Sequence, residues 1–561
     1  MTLSASARKP SITCEVFPDG AQADQGGFAR PADQIGRGRI GMDELRLERR
    51  CAMLTGQRVV AEAIALPTRG AHLVMAEVVP ASERLPAYCR IEGEIEPVDP
   101  TAPPIRFRVN LPVAWNGRAL HVGGGGYNGF VPSGTEPVPG APPDALVPLA
   151  RGYATFGSDS GHQGMNAAFA LNDEALENFG YAALKKTRDV AVTIMRWFYG
   201  AEPERTYFAG LSQGGREALT VAQRFPEDYD GVLSIVPVLN FTLLQLAGNR
   251  MGRALLNGGW MDARKIRLLA QAQREACGGR EAVLDGLLLD YAACDFDVAE
   301  LCCASSPEDP GLTEAQIAAV RLLRSRLQLS YPLANGVTSY PGWPSGNEDL
   351  PGGWDLWVMG SAPPPAVQPP GVDPGGPIIV NFGAQFVRYA IVRDPAFQTY
   401  HFDPEDPRWR ERIIQVSAIV DSTDPDLSRF AARGGKLILV EYMADYAQSP
   451  YAGIEYFQRV QESLGEEMVE SFARLYVVPG ANHRGGNAPS QADWLTVLER
   501  WVERGQPPDA GIILQQTEPV PRTLPACRYP DWPVYVGGDP NDARSYVCRP
   551  ARGFARRILR R

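Results

Sequence analysis

The pentapeptide G-L-S-Q-G at residues 210–214 is the first feature of this sequence that could do chemistry. An apolar, strand-like run (TYFAG) leads into it, and a helical pattern begins at Gln213. A serine on a sharp turn between a strand and a helix is presented to a substrate, and the helix N-terminus favours developing negative charge. Glycines are needed there because side chains would collide with neighbouring backbone. The motif predicts that Ser212 is a nucleophile; the alternative is a purely structural turn.

A serine hydroxyl becomes a good nucleophile only when a base takes its proton. The chain has five histidines, and in enzymes with this turn the chain order is serine, acid, histidine. That order leaves His401 and His483. His483 directly follows an apolar run in VVPGANHRGG, whereas His401 lies in the irregular stretch TYHFDPEDP. We therefore expect His483 to be the base; for either residue the alternative is a hydrogen-bonded loop histidine.

The acid that orients the histidine is expected just after the preceding strand. Asp445 follows the apolar run KLILVEY, with room for one helix and one strand before His483. A carboxylate there would hold the imidazole in one tautomer and stabilise the imidazolium. Asp421, Asp424 and Asp426 are alternatives, but they precede that strand and lie at its other end.

Acyl transfer also needs hydrogen-bond donors for the oxyanion. The run of four glycines at 123–126 follows the strand-like segment RALHV and resembles the glycine-rich oxyanion loop of esterases. Backbone N–H groups of Gly124 or Gly125, together with that of Gln213, are the predicted donors. The alternative is a flexible linker. The run does not match a dinucleotide-binding fingerprint, so no cofactor is expected.

The elements that must position these residues alternate between strands and helices. Strand-like runs such as YATFGSD and LYVVPG alternate with helical patterns such as YAALKKTRDVAVTIMRWFYG and WLTVLERWVERG. Two further strand-like runs, AHLVMAEVV and IRFRVNLPV, come earlier, after a helical segment from Met42 to Ala61. This alternation indicates an α/β fold with a parallel sheet. Combined with the serine turn, it predicts an α/β-hydrolase fold with a large inserted lid domain.

The alternation breaks down between residues 240 and 430. This span holds two helical patterns, ARKIRLLAQAQREA and TEAQIAAVRLLRSRL, and a long stretch rich in Pro, Gly and Trp. An insertion of this length is usually functional, for example a lid. The predicted organisation is a mobile N-terminal arm at 1–40, a catalytic domain at 41–239 and 431–520, a lid domain at 240–430, and an irregular C-terminal tail at 521–561 that packs on the core.

Composition excludes several classes of function. The chain of 561 residues has a net charge of −10 and no run rich in Lys or Arg, which argues against binding to nucleic acid or to an anionic membrane. No stretch is apolar for the roughly 18 residues that a membrane helix needs. The N-terminus as written has no apolar core of a secretory signal. A small-molecule ester is therefore the expected partner.

Long segments of the chain resemble the tannase and feruloyl esterase family of α/β-hydrolases, from about Cys51 to Cys548. The segments that carry the resemblance are LPAYCRIEGEI, LPVAWNGRALHVGGGGYNG, FALNDEALENFGYAALKKT, GLSQGGREAL, DLSRFAARGGKLILVEYMADYAQSP and RTLPACRYPDWPVYVGG. The resemblance implies the same triad of Ser212, Asp445 and His483, with a lid that covers the active site and carries most substrate contacts. It also implies a secreted or periplasmic protein, although the sequence begins without a secretory signal.

The sequence departs from the family pattern beside the serine and the histidine. Family members usually have a cysteine just before the serine and another just after the histidine, joined by a disulfide. Here those positions are Leu211 and Arg484, so the two loops must be held by packing instead. The Arg484 guanidinium could bind a substrate carboxylate through two hydrogen bonds. The alternative is an outward-facing arginine paired with an acid.

Two further implications of the resemblance concern calcium and disulfides. The stretch matching the family's calcium loop has Gly278 and Glu281 at two expected Asp positions and retains Asp285. Calcium needs several oxygen ligands, so the lost carboxylate weakens the prediction of a structural calcium, and a solvated loop is the alternative. The disulfides that remain possible are Cys51–Cys89, Cys277–Cys294 and Cys527–Cys548.

The sequence therefore predicts a serine carboxylic-ester hydrolase that works through an acyl-enzyme and needs no cofactor. The resemblance points to esters of aromatic acids, such as gallate, hydroxycinnamate or terephthalate esters. The lid aromatics Trp354, Trp357 and Phe386 could stack on such a ring, or they could form the core of the lid. The alternatives are the same triad acting on a non-aromatic ester or an amide, and a catalytically inactive binding protein.

Overall fold

A computed structural model describes residues 46–277, 283–284, 287–289, 291, 294, 296–302 and 311–550. Its strands and helices account for most of the elements that the sequence predicts. The strands are β1 (Arg58–Val59), β2 (Ala71–Val79), β3 (Tyr88–Ile95), β4 (Ile105–Pro112), β5 (Arg118–Val122), β6 (Ala154–Ser158), β7 (Arg205–Leu211), β8 (Gly231–Ile235), β9 (Val283–Leu284), β10 (Leu287–Leu288), β11 (Leu327–Gln328), β12 (Ser339–Tyr340), β13 (Lys436–Tyr442), β14 (Ala473–Val478), β15 (Ile513–Gln516), β16 (Arg522–Pro525), β17 (Asp531–Tyr535) and β18 (Tyr546–Pro550).

Helices connect the strands and fill the long insertion. Four of them continue from or into one of three short π-helical segments, at Asn178–Ala182, Leu255–Gly259 and Val387–Val392. The helices are α1 (46–52), α2 (Asp173–Glu177), α3 (Ala183–Tyr199), α4 (Gln213–Arg224), α5 (Phe241–Ala254), α6 (Ala263–Cys277), α7 (Glu314–Arg324), α8 (Trp354–Trp357), α9 (Ile378–Phe386), α10 (Pro407–Val420), α11 (Ser428–Ala432), α12 (Pro450–Leu464), α13 (Glu466–Phe472) and α14 (Trp494–Arg504).

Ten strands form one mixed sheet in the order β1-β2-β3-β4-β6-β5-β7-β8-β13-β14. The first four strands run antiparallel to their neighbours, and β5, β6, β7, β8, β13 and β14 are parallel. Parallel strands are covered on both faces and therefore read as continuous apolar runs. Accordingly, every residue of β8 and of β14 is buried.

Helices cover both faces of the parallel half of the sheet. On one face, α4, α12 and α13 contribute Leu219, Phe457 and Phe472 to a core with strand residues. On the other face, α14 contributes Trp494 and Leu498. The apolar residues of these helices recur on one side at helical spacing, so each helix buries that side against the strands. The ends of β5, β7, β13 and β14 are thereby held at one edge.

The insertion between β8 and β13 contains α5 to α11 and two short strand pairs, β9–β10 and β11–β12. Local rules explain some of its elements: α7 begins after a capping box in which the side chains of Thr313 and Gln316 each accept a backbone N–H of the other residue. The core of the insertion also takes in Tyr127, Phe179 and Tyr446 from outside it. From Leu47 onward, the described residues belong to one compact unit. The boundaries of a lid domain at 240–430 remain a prediction.

The tail departs from its predicted irregular character. Residues after 520 form β16, β17 and β18, with β17 and β18 paired antiparallel. Trp532 and Leu524 are buried among core residues, and the N–H of Tyr529 donates to the carbonyl oxygen of Leu475 in β14 at 2.8 Å. The short strands were missed because prolines and glycines interrupt the tail and obscure its alternation.

Several predictions fall partly or wholly outside the described residues. These are the N-terminal arm at 1–40, the first residues of the helix from Met42, and the calcium stretch with Gly278, Glu281 and Asp285. That helix ends at 52 in the structure, earlier than predicted, because a turn and β1 follow. Within the described parts, no helix combines the length and apolarity needed to cross a membrane.

The three disulfides implied by the resemblance are confirmed. Cys51–Cys89 joins α1 to β3, with Cα atoms 5.6 Å apart. Cys277–Cys294 fastens the end of α6, and Cys527–Cys548 closes the tail, with Cα separations of 4.7 and 5.4 Å. Cross-links of this kind restrict the unfolded chain more than the folded one.

Candidate active site

The turn that carries Ser212 lies between β7 and α4. Ser212 has φ 63° and ψ −117°, a strained conformation for a residue with a side chain. A Cβ on Gly210 would lie 2.2 Å from the carbonyl oxygen of Gly214, and one on Gly214 would lie 2.9 Å from that of Gly124. Only glycine fits at either position, which explains why the motif has glycines on both sides of the serine.

Asp445 and His483 lie side by side, each on the loop after its strand. Because β13 and β14 are parallel neighbours, their carboxyl ends meet at one edge of the sheet. Nδ1 of His483 is 2.7 Å from Oδ2 of Asp445. Oδ1 of Asp445 accepts the N–H groups of Ala447 at 2.8 Å and Gln448 at 3.2 Å. A carboxylate accepts hydrogen bonds, so the contact assigns the imidazole proton to Nδ1 and leaves Nε2 as the basic nitrogen.

Ser212 and His483 line the same cavity, which has a volume of about 420 Å³. His483 is only 5% exposed, while Ser212 is partly exposed towards the cavity. Within the described part of the chain, the serine hydroxyl and the imidazole are not hydrogen-bonded to each other. Such contacts are often loose without substrate and tighten in its presence. The structure thus brings Asp445 into contact with His483 and places Ser212 in the same cavity.

The backbone amides of the glycine-rich loop differ in what they bind. The N–H of Gly124 donates to Oε2 of Glu217 at 2.9 Å. The prediction that Gly124 is an oxyanion donor is therefore wrong, because its amide is already bound to a buried carboxylate. The N–H groups of Gly125 and Gln213 have no acceptor within the described residues. Two predicted donors, Gly125 and Gln213, therefore remain available to a bound group.

Glu217 joins the helix after the serine to the glycine-rich loop. Its Oε1 accepts from Nδ2 of Asn128 at 2.6 Å, and Asn128 also donates to Oγ of Ser160 at 2.6 Å. Burial raises the pKa of Glu217, against the opposing effect of Arg216. Sequence reasoning missed Glu217 and Asn128. An acidic residue inside a helix that packs on a parallel sheet was an available signal, because a buried carboxyl needs partners.

Arg216 is a second buried group that sequence reasoning missed. Its guanidinium donates to the carbonyl oxygens of Phe179, Gly180 and Val420 and to the side-chain oxygen of Gln213, at 2.8 to 2.9 Å. Burial lowers its pKa to about 10. Through these bonds, one side chain connects the helix after the serine, the π segment at Asn178–Ala182 and the end of α10.

A further buried carboxyl lies behind the acid. Nε2 of Gln448 donates to Oε2 of Glu441 at 2.9 Å and to Oδ2 of Asp445 at 3.3 Å. Burial, and then the neighbouring Asp445, raise the pKa of Glu441 well above its usual value. Gln448 thus supports Asp445 through both its backbone and its side chain.

The insertion supplies about half of the apolar wall of the cavity, and segments outside the insertion supply the rest. Trp357 of α8 packs edge-on against the ring of His483, with ring centroids 5.0 Å apart. The wall also includes polar Gln245 and charged Arg484. Its apolar lining residues are Phe130, Pro139, Met165, Leu211, Val238, Phe241, Leu244, Trp357, Ile378, Ile379, Phe382 and Ala447.

Two aromatic residues predicted to contact substrate do not line the cavity. Trp354 is completely buried and packs against the ring of Tyr446. Phe386 is buried against Phe241, with ring centroids 5.8 Å apart. Both therefore belong to the core of the insertion, which corrects the prediction, whereas Trp357 lines the cavity and its contact with substrate stays a prediction.

The loops beside the serine and the histidine are held without the disulfide expected of the family. Leu211 and Arg484 occupy those positions and both line the cavity. The side-chain amides of Asn482 and Asn487 donate to the carbonyl oxygen of Pro351 at 2.9 and 3.0 Å. Hydrogen bonds to the insertion therefore fasten the histidine loop, in addition to the packing expected from the sequence.

The alternative acids and the alternative histidine lie elsewhere. His401 is exposed in a short turn and is not part of the cavity. Asp421 is buried and accepts the N–H of Thr242 at 2.7 Å, while Asp424 and Asp426 lie before α11 and β13. Among the described residues, no three His, Cys, Asp or Glu side chains are grouped as metal ligands.

A mixed sheet that is parallel around a serine turn, with an acid and a histidine after the last two parallel strands, defines an α/β-hydrolase. The family model described as tannase and feruloyl esterase matches residues 89–549. This chain belongs to the tannase and feruloyl esterase family and is a carboxylic ester hydrolase.

Relatives agree with this assignment, and solved structures share the fold. The chain is 36% identical to an uncharacterized esterase of Agrobacterium fabrum, over 89% of this chain and 92% of the relative. It is 29% identical to the mono(2-hydroxyethyl) terephthalate hydrolase of Piscinibacter sakaiensis, over 83% of this chain and 85% of the relative. The fold is similar to that of feruloyl esterase B from Aspergillus oryzae, with a TM-score of 0.71, 23% identity and coverage of 90% of this chain and 100% of the other. For the tannin acyl hydrolase of Aspergillus niger, the TM-score is 0.64 and the identity is 20%, with coverage of 87% of this chain and 94% of the other.

Proposed function

We propose that this esterase forms an acyl-enzyme on Ser212. In the first step, Nε2 of His483 takes the hydroxyl proton while Oγ attacks the ester carbonyl carbon. The C–O bond to the alcohol then breaks, and the alcohol leaves with the proton from His483. In the second step, His483 activates a water molecule, which attacks the acyl-enzyme and releases the acid and Ser212.

The hydrogen bond between Asp445 and His483 is the observation that carries this proposal. Asp445 is buried and receives two backbone N–H groups, so it is held firmly against the imidazole. An acid in this position keeps the proton on Nδ1 and stabilises the imidazolium that forms during attack. A cavity that exposes both Ser212 and His483 gives the ester a place to bind.

The amides of Gly125 and Gln213 would stabilise the oxyanion. Both N–H groups lack an acceptor within the described residues, and both residues adjoin Ser212 or its cavity. Donors fixed before the reaction stabilise developing charge without a cost of reorganisation. Gly124 would act indirectly, because its bond to Glu217 fixes the loop that presents Gly125.

Esters of aromatic acids are the substrates that the cavity favours. Its walls are mainly apolar and include three phenylalanines and Trp357, whose rings can stack on or pack edge-on against a substrate ring. A volume of about 420 Å³ suits a compact acyl group. Feruloyl, galloyl and terephthaloyl esters fit this description, and the names of several relatives point to the same chemistry.

Covalent trapping tests the mechanism. We expect the wild-type protein to hydrolyse p-nitrophenyl butyrate with a burst of one equivalent and to be labelled on Ser212 by a fluorophosphonate. Ser212→Ala should lose both, whereas Ser428→Ala, in the helix α11 outside the cavity, should retain them. Full activity of Ser212→Ala, or a label on another residue, would contradict the proposal. A folded wild-type protein that hydrolyses no ester would instead support an inactive binding protein.

A substrate panel tests the acyl preference. We expect kcat/KM for methyl ferulate or methyl gallate to exceed that for methyl hexanoate by at least tenfold. Equal values would favour a non-aromatic ester as the natural substrate. Hydrolysis of the matching anilide at a comparable rate would favour an amide.

A further inference from the structure

Arg484 brings a positive charge to the cavity beside the catalytic histidine. Its side chain is exposed and lines the cavity next to His483. In the described part of the chain, its guanidinium forms no ion pair or hydrogen bond with another residue. Two arginines of the insertion are paired, by contrast: Arg274 binds Asp349 in two hydrogen bonds of 2.8 Å, and Arg324 binds Glu348 at 3.0 Å.

The cavity wall does not neutralise this charge. None of the described residues that line the cavity is acidic, and the other polar side chains are those of Ser212, Gln245 and His483. Most of the remaining wall is apolar. Water screens this exposed cation in part, but within the described wall no carboxylate competes with a substrate anion for it.

The backbone that carries Arg484 is fixed at the edge of the cavity. Its N–H donates to Oδ1 of Asn482 at 3.0 Å, and Gly485, with φ 80°, donates to the carbonyl oxygen of Asn482 at 2.8 Å. The side chain of Asn482 in turn bonds to Pro351 of the insertion. Arg484 therefore extends from a held loop, and its position is tied to that of the histidine one residue earlier.

We propose that the preferred substrate of this enzyme is an ester that carries a carboxylate, which Arg484 binds. The inference rests on the proposed function, since it concerns an ester bound between Ser212 and His483. A guanidinium matches a carboxylate in geometry and can form two parallel hydrogen bonds with it. The carboxylate can belong to the acyl part or to the alcohol part of the ester, and both parts must lie near His483 during the reaction.

Two matched pairs of esters distinguish these positions. The acyl pair is methyl 4-carboxybenzoate and methyl 4-carbamoylbenzoate, which have nearly the same shape and differ in charge. The alcohol pair is carboxymethyl benzoate and carbamoylmethyl benzoate. For each pair, the measured quantity is the ratio of kcat/KM for the charged ester to that for the neutral ester, at low and at high salt.

Arg484→Gln should lower this ratio about tenfold in at least one pair, the size expected for an exposed charge-assisted hydrogen bond. The pair that responds shows which part of the ester carries the carboxylate. Arg484→Lys, which keeps the charge but cannot form the bidentate hydrogen bonds of a guanidinium, should give an intermediate ratio. Salt should lower the wild-type ratio and leave that of Arg484→Gln nearly unchanged. Arg500→Gln, on the exposed side of α14, is the matched control and should keep the wild-type ratio.

An unchanged ratio in both pairs for Arg484→Gln would overturn the inference. The proposed function would still stand if p-nitrophenyl butyrate is hydrolysed by the wild-type protein and not by Ser212→Ala. If the wild-type protein hydrolyses no ester, both the proposed function and the carboxylate inference fail. Each result therefore supports or rejects the role of Arg484, and failure of the inference alone is recognisable.

Discussion

The two sides of the cavity are built from different interactions. On the side of the sheet, polar groups meet in fixed pairs, such as Asp445 with His483 and Glu217 with the N–H of Gly124. On the side of the insertion, the wall consists mainly of apolar side chains, including Trp357, Ile379 and Phe382. Hydrogen bonds depend strongly on distance and angle, whereas apolar contacts have no direction.

This difference suggests separate roles for the two sides of the cavity. The sheet side holds reacting groups to the small tolerances that catalysis requires. We expect the apolar wall, to which the insertion contributes Trp357, Ile379 and Phe382, to select the acyl group, because its residues can change without moving the reacting atoms. Changes to the paired polar groups on the sheet side should therefore affect all esters alike, and changes to the apolar wall of the insertion should alter the preference among esters.

Asp445→Asn should have the largest effect. The amide cannot hold the imidazole proton on Nδ1 or stabilise the imidazolium, so we expect kcat to fall by about 10⁴-fold for every ester. Steady-state kinetics with an aromatic and an aliphatic ester measure this. Asp426→Asn is the control, because Asp426 is exposed and accepts the N–H of Ser428 at the start of α11. A loss smaller than tenfold, or a loss confined to one ester, would break the proposed division between the two sides.

Arg216→Met should have the largest effect on stability. The substitution leaves the carbonyl oxygens of Phe179, Gly180 and Val420 buried without their donor. It also removes the positive charge next to Glu217. We expect the free energy of unfolding in urea to fall by about 3–5 kcal/mol. Arg196→Met removes a surface ion pair with Glu202 and should cost less than about 1 kcal/mol. Equal losses would show that the buried network contributes no more than a surface pair.

The sequence was informative where the chemistry depends on local geometry. The glycines around Ser212 and the apolar runs before Asp445 and His483 are determined by neighbouring residues along the chain. The parallel strands then bring their ends together, which is a general property of such sheets. For these reasons, the elements that carry the three side chains were predicted close to their observed bounds.

The insertion was less predictable because its side chains are placed by contacts between distant segments. Trp354 and Trp357 are three residues apart on the one-turn helix α8, so spacing alone predicts that both lie on the same face of the helix. Yet Trp354 packs on Tyr446 in the core, and Trp357 reaches the cavity beside His483. Which of the two lines the site is therefore set by the tertiary contacts of each ring and not by spacing along the chain.

The glycine-rich loop shows the same limit on the sheet side. Spacing identified the run at 123–126 but could not distinguish Gly124 from Gly125. The distinction comes from Glu217, which lies on another element and takes the N–H of Gly124. Sequence patterns therefore located the loop, while the buried carboxylate determines which amide is available.

Asp421 at the base of the insertion should make stability depend on pH. Burial raises its pKa to about 7, from an ordinary value near 4. Its stabilising contribution is therefore complete below pH 4 and is lost as the pH rises through 7, because the folded state must keep a proton that the unfolded state releases. Relative to Asp421→Asn, the wild-type protein should lose at most about 1.4 kcal/mol per pH unit between pH 4 and 7. Urea unfolding at several pH values tests this; parallel curves for both proteins would contradict it.

Trp357→Ala should have the smallest effect and the most selective one. Removing the indole takes an aromatic wall from the cavity but leaves Ser212, Asp445 and the glycine-rich loop in place. An aromatic contact contributes about 0.5–1.5 kcal/mol beyond area burial. We therefore expect the ratio of kcat/KM for methyl ferulate to that for methyl acetate to fall about three- to tenfold.

The comparison of Trp357→Ala with two other variants separates substrate contact from an effect on the histidine. Trp357→Phe should restore most of the ratio, since a smaller ring still offers an apolar face. Trp197→Ala, an exposed tryptophan on α3, should leave the ratio unchanged. If Trp357→Ala instead lowers kcat for both esters equally, the indole acts by holding His483, against which it packs edge-on. The insertion would then take part in positioning the base, and the sharp division between the two sides of the cavity would be wrong at this residue.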